Sequence, residues 1–439
     1  MAGDTIFALS SGQPPAALAV IRISGPGAGS ALKALAGRLP EPRHASLRTL
    51  RDRAGAVLDR ALVLWFPGPH TATGEDLAEF HLHGGRAVVR AVEAALGALP
   101  GLRLARPGEF TRRAFENGRI DLAEAEGLAD LLSAETEAQR RNAIALADGH
   151  LSRAVERWRE ELLRISALVE AALDFSDEAD VAGGEGEGPV PAGLSDAIGA
   201  LNEEMEEWLL RPPLERLKDG LSVVLAGPPN SGKSTLINAL AQREAVLTSD
   251  IAGTTRDVIE LPVSLGGVAM RLADTAGIRD ETGDVIEAMG IERARAMVDA
   301  ADILLWLGPV DEAPQHPARI LIAPQADRHR DDPLWQAQAA RADLTISAKS
   351  GEGMAALVEA ILARAAEQLP AGGEIALSER QRIAIAEAVE VLTTDTDQDD
   401  LLIVAERLRL ARTALDRLTG RASTEHMLDT LFGRFCIGK

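Results

Sequence analysis

Residues 221–234 read Leu221-Ser222-Val223-Val224-Leu225-Ala226-Gly227-Pro228-Pro229-Asn230-Ser231-Gly232-Lys233-Ser234. The first six form a short apolar run, the pattern of a parallel strand buried on both faces. The next eight fit G-x-x-x-x-G-K-[ST] and sit between that strand and a helix, the context this motif needs. Glycines there let backbone N–H groups turn inward around phosphate oxygens. The helix N-terminus adds partial positive charge. Lys233 then reaches the β- and γ-phosphates, and Ser234 offers its hydroxyl to Mg²⁺. Strand and helix patterns alternate from here to about Leu369, which predicts an α/β sheet with helices on both faces.

Further features follow in the order a GTPase requires. Gly253-Thr254-Thr255-Arg256-Asp257 has the pattern of a switch I loop, in which Thr255 completes the Mg²⁺ shell. Val258–Leu265, Gly266-Gly267 and Val268–Ala273 read as a hairpin, with Pro262 suiting an edge strand. Its second strand delivers Asp274-Thr275-Ala276-Gly277. Asp274 is placed to hold a magnesium water, and the Gly277 N–H to sense the γ-phosphate. The base-recognition pattern Asn-Lys-x-Asp is reduced to Pro324-Gln325-Ala326-Asp327 after the strand Ala318–Ala323. Either the Asp327 carboxylate still accepts from guanine N1–H and N2–H, or residues 324–327 read no base. Ser347-Ala348-Lys349 matches the last guanine loop, so guanine preference with weakened affinity is expected. Ile278, after the DTAG run, cannot orient water, which leaves Asp280, Glu281, Asp284 and Glu287 nearby as carboxylates for that task.

The 439 residues are 46% hydrophobic and 26% charged, enough apolar material for several cores. No apolar run approaches the ~18 residues that span a bilayer, and the start has no basic-then-apolar leader pattern. The single cysteine, Cys436, excludes an internal disulfide framework and a Cys-rich zinc module, so a reducing cytoplasm is expected. Residues 1–120 carry 15 Lys and Arg against 10 Asp and Glu, a net of +5, leaving −26 for the rest of a chain totalling −21. Such a chain is a poor candidate to embrace nucleic acid through a broad basic face.

Texture divides the chain further. Residues 1–118 mix strands (Ala19–Ile23, Ala61–Phe66, Glu79–His83) with a helix over Ala87–Leu99, an α+β domain. From Arg119 the sequence turns helical to about Phe175, with Asp121 and Glu124 spaced as a capping box. Residues 177–193 are acidic and Gly-rich, which predicts a mobile linker. Helix resumes over Leu194–Lys218 and again from Ser378 to the end. The expected division is 1–118, helical 119–218, an inserted P-loop α/β domain at 219–370, and helical 371–439.

Taken together these motifs resemble the MnmE (also called TrmE) family of tRNA-modifying GTPases over nearly the whole chain. The likeness rests on Asp4-Thr5-Ile6 and Ile21-Arg22-Ile23-Ser24-Gly25-Pro26. It extends to Thr73-Gly74-Glu75-Asp76 with Glu79 and His83-Gly84-Gly85, and to Arg106-Pro107-Gly108-Glu109-Phe110-Thr111. It continues through Arg113-Ala114-Phe115, Asn117 and Arg119-Ile120-Asp121-Leu122, and ends with the terminal Cys436-Ile437-Gly438-Lys439.

The resemblance implies an α+β N-terminal folate-binding domain that dimerises. It would hold 5-formyl- or 5,10-methylene-tetrahydrofolate near Arg22, Glu79, Arg119 and Lys439, with Cys436 brought up to that pocket. Guanidinium groups suit the folate carboxylates. His81 and His83 are then either neutral strand histidines or a metal pair. It implies a K⁺-stimulated GTPase active on G-domain dimerisation, with K⁺ at Asn230, Ser249, Ile251 and Thr254 and Mg²⁺ at Ser234 and Thr255. Nucleotide contacts would run through Asn230, Ser231, Gly232, Lys233, Ser234 and Thr235. They would continue along Ser249, Asp250, Ile251, Ala252, Gly253, Thr254 and Thr255, then Asp274, Thr275, Ala276 and Gly277, and finally Asp327, Ser347, Ala348 and Lys349. Catalytic roles fall to Glu287, which matches the family's water-orienting glutamate, and to Cys436.

The implied reaction builds the aminomethyl or carboxymethylaminomethyl group at C5 of the wobble uridine in certain tRNAs. An FAD-containing MnmG (GidA) partner joins in a heterotetramer or larger complex and makes most of the tRNA contact; no membrane is involved. Two other readings share the nucleotide motifs: an Era- or Der-like ribosome-assembly GTPase, and a folate-dependent scaffold with a weak G domain.

Overall fold

The computed structural model describes residues 3–181, 193–243, 245–246, 260–275, 292, 294–370, 374–393, 400–422, 425–433 and 435–438. The chain forms two compact units. One comprises residues 1–129, 146–159 and 413–439, the other residues 130–145 and 160–412.

The first unit is built on a six-stranded sheet of β1 (Thr5–Leu9), β2 (Leu18–Ser24), β3 (Ser46–Arg51), β4 (Val57–Phe66), β5 (Leu77–His83) and β6 (Leu102–Leu104). The order is β3-β4-β5-β2-β1-β6, and only β1 and β6 run parallel. Helices α1 (Ala28–Ala36) and α2 (Arg86–Gly97) supply Leu32, Leu35, Val92 and Leu96 to its core. Side chains alternate across a strand. Ile21 and Ile23 of β2 and Phe80 and Leu82 of β5 therefore turn into that core, while Arg22, Glu79 and His81 stand on the opposite face.

Helix α3 (Glu109–Glu116) is followed by α4 (Leu122–Ser133), whose start carries the expected box. Glu124 N donates to Asp121 Oδ1 and Asp121 N to Glu124 Oε2, both at 2.8 Å. Leu122 and Ala125 pack with Leu428, Phe432 and Phe435 of the C-terminal segment. Helices α5 (Glu137–Ala147) and α6 (His150–Val181) follow. Residues 177–181, read from sequence as linker, are the end of α6; the remainder of that stretch up to residue 192 lies outside the described residues.

The second unit holds a seven-stranded sheet: β7 (Leu221–Ala226), β8 (Ala245–Val246), β9 (Glu260–Leu265), β10 (Val268–Asp274), β11 (Ile303–Trp306), β12 (Arg319–Ala323) and β13 (Leu344–Thr345). In the order β13-β12-β11-β7-β10-β9-β8, all pairs from β13 to β10 are parallel. Leu221, Val223 and Leu225 face a core with Leu236, Leu240 and Ile361; Val224 and Ala226 face another with Ala273, Val298 and Leu304. Central β7 is thus covered on both sides, which is why its sequence is continuously apolar rather than alternating. Pro262 does not mark an edge: β8 pairs with β9 at Val263 and Ser264.

The single helix expected over Leu194–Lys218 is two, α7 (Leu194–Leu209) and α8 (Leu214–Lys218). Pro212-Pro213 removes two N–H donors and breaks the run. Arg382 donates to the freed carbonyls of Leu209 at 2.8 Å and Arg211 at 2.9 Å, and Asn202 donates to Thr393 Oγ1 at 2.9 Å. The helix Glu379–Leu392, which follows the α/β sheet in sequence, thereby packs on α7, which precedes it. Among the described residues no helix is long and apolar enough to cross a membrane.

Candidate functional site

The turn after β7 opens directly into α9 (Lys233–Arg243). Gly227 has φ +147°, and a Cβ there would lie 2.9 Å from the Leu307 carbonyl, so only glycine lets the chain pass beside β11. Lys233 is buried; its Nζ donates to the carbonyls of Gly227 and Pro228, each at 3.0 Å. The ammonium is thus held over the turn whose N–H groups would take the phosphates. Ser234 Oγ donates to Asp274 Oδ2 at 2.6 Å, which brings together two oxygen donors from elements 40 residues apart in sequence. Thr275 Oγ1 donates to Leu225 O at 3.2 Å and fixes the end of β10 to β7.

The opposite wall is formed by the turn Pro324-Gln325-Ala326-Asp327 and the loop at 346–349. Ser231, Gly232, Thr235, Leu236, Leu307, Pro324, Gln325, Asp327, Arg328, Ile346, Ala348 and Lys349 line one cavity of about 180 Å³. Phosphate turn, Asp327 and the Ser347-Ala348-Lys349 loop therefore converge. Ser347 is fully buried; its hydroxyl accepts from Ser350 N at 3.1 Å and donates to Asp327 Oδ1 at 2.7 Å. That hydrogen bond holds the Asp327 carboxyl below the usual range, so it is an ionised acceptor at neutral pH. Trp335 Nε1 donates to Pro324 O at 2.8 Å and fixes the turn where asparagine is usual. Trp335 and the inward reach of Gln325 were not foreseen from sequence; the only signal was the departure from Asn-Lys itself.

On the non-core face of the first unit, Arg22 pairs across strands with Glu79, Nε at 3.1 Å and a terminal nitrogen at 3.0 Å. The Arg22 guanidinium also lies 6.0 Å from the Phe110 ring. His81 Nε2 meets the other Glu79 oxygen at 3.1 Å, while His83 Nδ1 meets Asp59 at 2.7 Å. The two histidines take separate carboxylates, and among the described residues no group of three His, Cys, Asp or Glu is disposed for a metal ion. The stem of Arg119 runs beside Gly74, in the turn that follows Thr73. Asn117 Nδ2 donates to Thr73 O at 2.7 Å, and Thr73 Oγ1 and Ser24 Oγ share a hydrogen bond of 2.6 Å, so the Thr73–Asp76 turn is fastened to β2.

The C-terminal tail reaches this unit. The helix Glu425–Phe432 is tied to Arg112 through Glu425 and Asp429, each at 2.6 Å. Pro107 and Ile437 form a β-bridge, Gly108 N donates to Cys436 O at 3.5 Å, and Gly438 abuts the Leu9 carbonyl. Cys436 is exposed beside the Arg106–Gly108 turn. Ser249, Asp250, Ile251, Ala252, Gly253, Thr254, Thr255, Ala276, Gly277, Ile278, Asp280, Glu281, Asp284, Glu287 and Lys439 lie outside the described residues.

Two family models match the chain: GTP-binding protein TrmE N-terminus over residues 5–119 and MnmE helical domain over residues 122–436. The tRNA modification GTPase MnmE of Sphingopyxis alaskensis is 62% identical over 422 residues, 95% of this chain and 100% of the relative. That of Novosphingobium aromaticivorans is 58% identical over 441 residues, 99% of this chain and 100% of the relative. That of Rhizorhabdus wittichii is 60% identical over 441 residues, 100% of this chain and 97% of the relative. A P-loop turn facing a guanine-type loop, an N-terminal model match and end-to-end identity above half agree: the chain belongs to the MnmE (TrmE) family of tRNA modification GTPases.

Proposed function

We propose that this chain hydrolyses GTP to drive modification of C5 of the wobble uridine in certain tRNAs. A folate one-carbon unit and an FAD-containing MnmG (GidA)-like partner take part in building the aminomethyl or carboxymethylaminomethyl group. The carrying observation is the cavity in which the phosphate turn, Asp327 and Lys349 meet. Asp327, ionised and oriented by Ser347, accepts from the guanine N–H pair. The 231–235 backbone at the start of α9 offers N–H donors to phosphate oxygens, and Lys233 stands ready to exchange its two carbonyl partners for them.

Ser234 and Asp274 fit Mg²⁺, a hard cation that takes oxygen donors; Thr255 would complete that set. When bound, Mg²⁺ offsets charge on the β- and γ-phosphates. Asn230 begins the proposed K⁺ set, continued by Ser249, Ile251 and Thr254. Glu287 would orient the attacking water. For folate, the Arg22–Glu79–His81 row offers a guanidinium for carboxylates and a carboxylate for pterin N–H groups, and Arg119 and Lys439 are the further contacts. The docked tail supports a role for Cys436 at that end of the molecule.

The two separate sheets support a division into an N-terminal domain (1–118), a helical domain (119–218 and 371–439) and an inserted G domain (219–370). Homodimerisation through the N-terminal domain, tRNA contact mainly through the partner, and a cytoplasmic location belong to the same proposal.

The test is twofold. GTP turnover should exceed ATP turnover and should be faster in K⁺ than in Na⁺. tRNA from cells lacking the chain should lose the modified wobble nucleoside. Intact wobble nucleosides in those cells would defeat the proposal. Glu287→Ala should keep GTP binding and lose turnover; lost binding would remove the residue from its water-orienting role.

A further inference from the structure

Gln325 occupies the base-recognition turn where GTPases usually carry lysine. Its backbone has φ 59°, a left-handed conformation that side-chain-bearing residues adopt rarely. The conformation sends the side chain back toward the phosphate turn, where Nε2 donates to the Asn230 carbonyl at 2.9 Å. Asn230 is itself left-handed, φ 62°, which turns that carbonyl out of the local backbone pattern toward its partner. At the other end of the amide, Gln325 Oε1 lies 3.3 Å from His329 Nε2, one turn along the helix Ala326–His329. With the Nε2–H tautomer of His329 donating, the amide is fixed nitrogen-first toward Asn230. The approach is close: a Cβ on Gly232 would sit 3.3 Å from Gln325 Nε2. Gln325 and Gly232 both line the cavity shared with Asp327 and Lys349.

We propose that Gln325 is a positioning residue that ties the base-recognition turn to the phosphate turn, through a neutral amide rather than a charged side chain. It touches neither reacting phosphate nor base edge in this role. It acts through the Asn230 carbonyl and holds the two halves of the nucleotide site at their working separation before nucleotide arrives. Preorganisation of this kind raises affinity by removing an ordering cost from the binding step. The effect is uniform: any purine nucleotide that spans both turns gains from it, and discrimination stays with Asp327. The inference rests on the GTP site proposed above and specifies how this chain completes it without the Asn-Lys pair.

The experiment is equilibrium binding of fluorescent GTP and ITP to the full chain and its variants. Gln325→Glu keeps size and polarity but turns an acceptor on the Asn230 carbonyl. It should weaken GTP and ITP alike, by about tenfold, the loss of one hydrogen bond plus an unfavourable contact. Gln325→Lys restores a donor of sufficient reach and should bind within about twofold of the parent, a rescue that a merely structural role would not produce. The GTP-to-ITP ratio should stay constant across both variants and change only with Asp327→Asn. Equal affinity of Gln325→Glu and the parent, failure of Gln325→Lys to rescue, or a loss confined to GTP would each overturn the inference alone. A parent chain that binds neither nucleotide would sink the GTP site and the inference together.

Discussion

Gly108→Ala should unseat the C-terminal tail and leave the nucleotide site alone. Gly108 has φ +67°, and an added Cβ would lie 2.1 Å from the Phe432 carbonyl oxygen and 2.8 Å from its carbon. Contacts under 3.0 Å do not persist, so helix and turn must part by about 0.9 Å. The left-handed backbone itself costs an alanine about 1–2 kcal/mol. The displaced segment carries Phe432 at the end of the helix and Phe435 just beyond it, 2% and 4% exposed, in the small core with Leu122 and Ala125. Partial loss of one such aromatic adds a further ~1–2 kcal/mol.

A total near 3 kcal/mol shifts the docked-to-undocked ratio by about a hundredfold. Hydrogen exchange over residues 425–433 reads that shift directly. Asp429→Ala is the control: it removes one exposed ion pair with Arg112, worth under about 1 kcal/mol, and should change exchange several-fold at most. GTP affinity should not move, because the nucleotide-site residues belong to the other unit. Exchange in Gly108→Ala within threefold of the parent would refute the claim that this close approach seats the tail.

Other consequences concern charge. Ser347→Ala removes the hydroxyl that holds the Asp327 carboxyl down, so its titration midpoint, followed by carboxyl NMR, should rise toward the ordinary 3.8. Asp327→Asn presents an N–H where guanine also has one and should move preference from GTP toward XTP in competition binding. Burial raises the carboxyl of Asp121 above 3.8 despite the hydrogen bond it accepts from the Glu124 backbone, and burial likewise raises Glu124. A carboxyl with a raised folded pKa binds its proton more tightly folded than unfolded. Its contribution to stability therefore falls as pH rises from 3.8 through the folded value, and the loss is complete above it. Asp121→Asn keeps the capping acceptor and should flatten that part of the stability–pH curve measured by urea unfolding; an unchanged slope would exclude Asp121 as its source.

The nucleotide half of the site was legible because its chemistry is local. Strand, glycine turn and helix N-terminus occupy 221–243 without interruption, and DTAG follows a two-residue hairpin turn. Alternation marked Glu79–His83 as a strand, but only the resemblance linked Arg22 to Glu79, and the register of β2 on β5 is what sets them opposite one another. The capping box at Asp121 spans three residues and was readable because it too is local. Where the reading failed, a nearby residue was given the wrong weight: Pro212-Pro213 breaks a helix that periodicity alone would continue, and the acidity of 177–181 did not stop α6.

The kinds of element and the chemistry each carries follow from the order of residues alone, because propensity, periodicity and motif spacing act over a few residues. Tertiary structure decided which distant groups meet. Gln325 finds a carbonyl 95 positions earlier, Ser347 orients a carboxylate 20 positions away, and the tail at 436–438 settles on residues near 107 and 9. Those meetings depend on how buried faces stack and on where backbone carbonyls are left without partners, and no local pattern encodes that geometry.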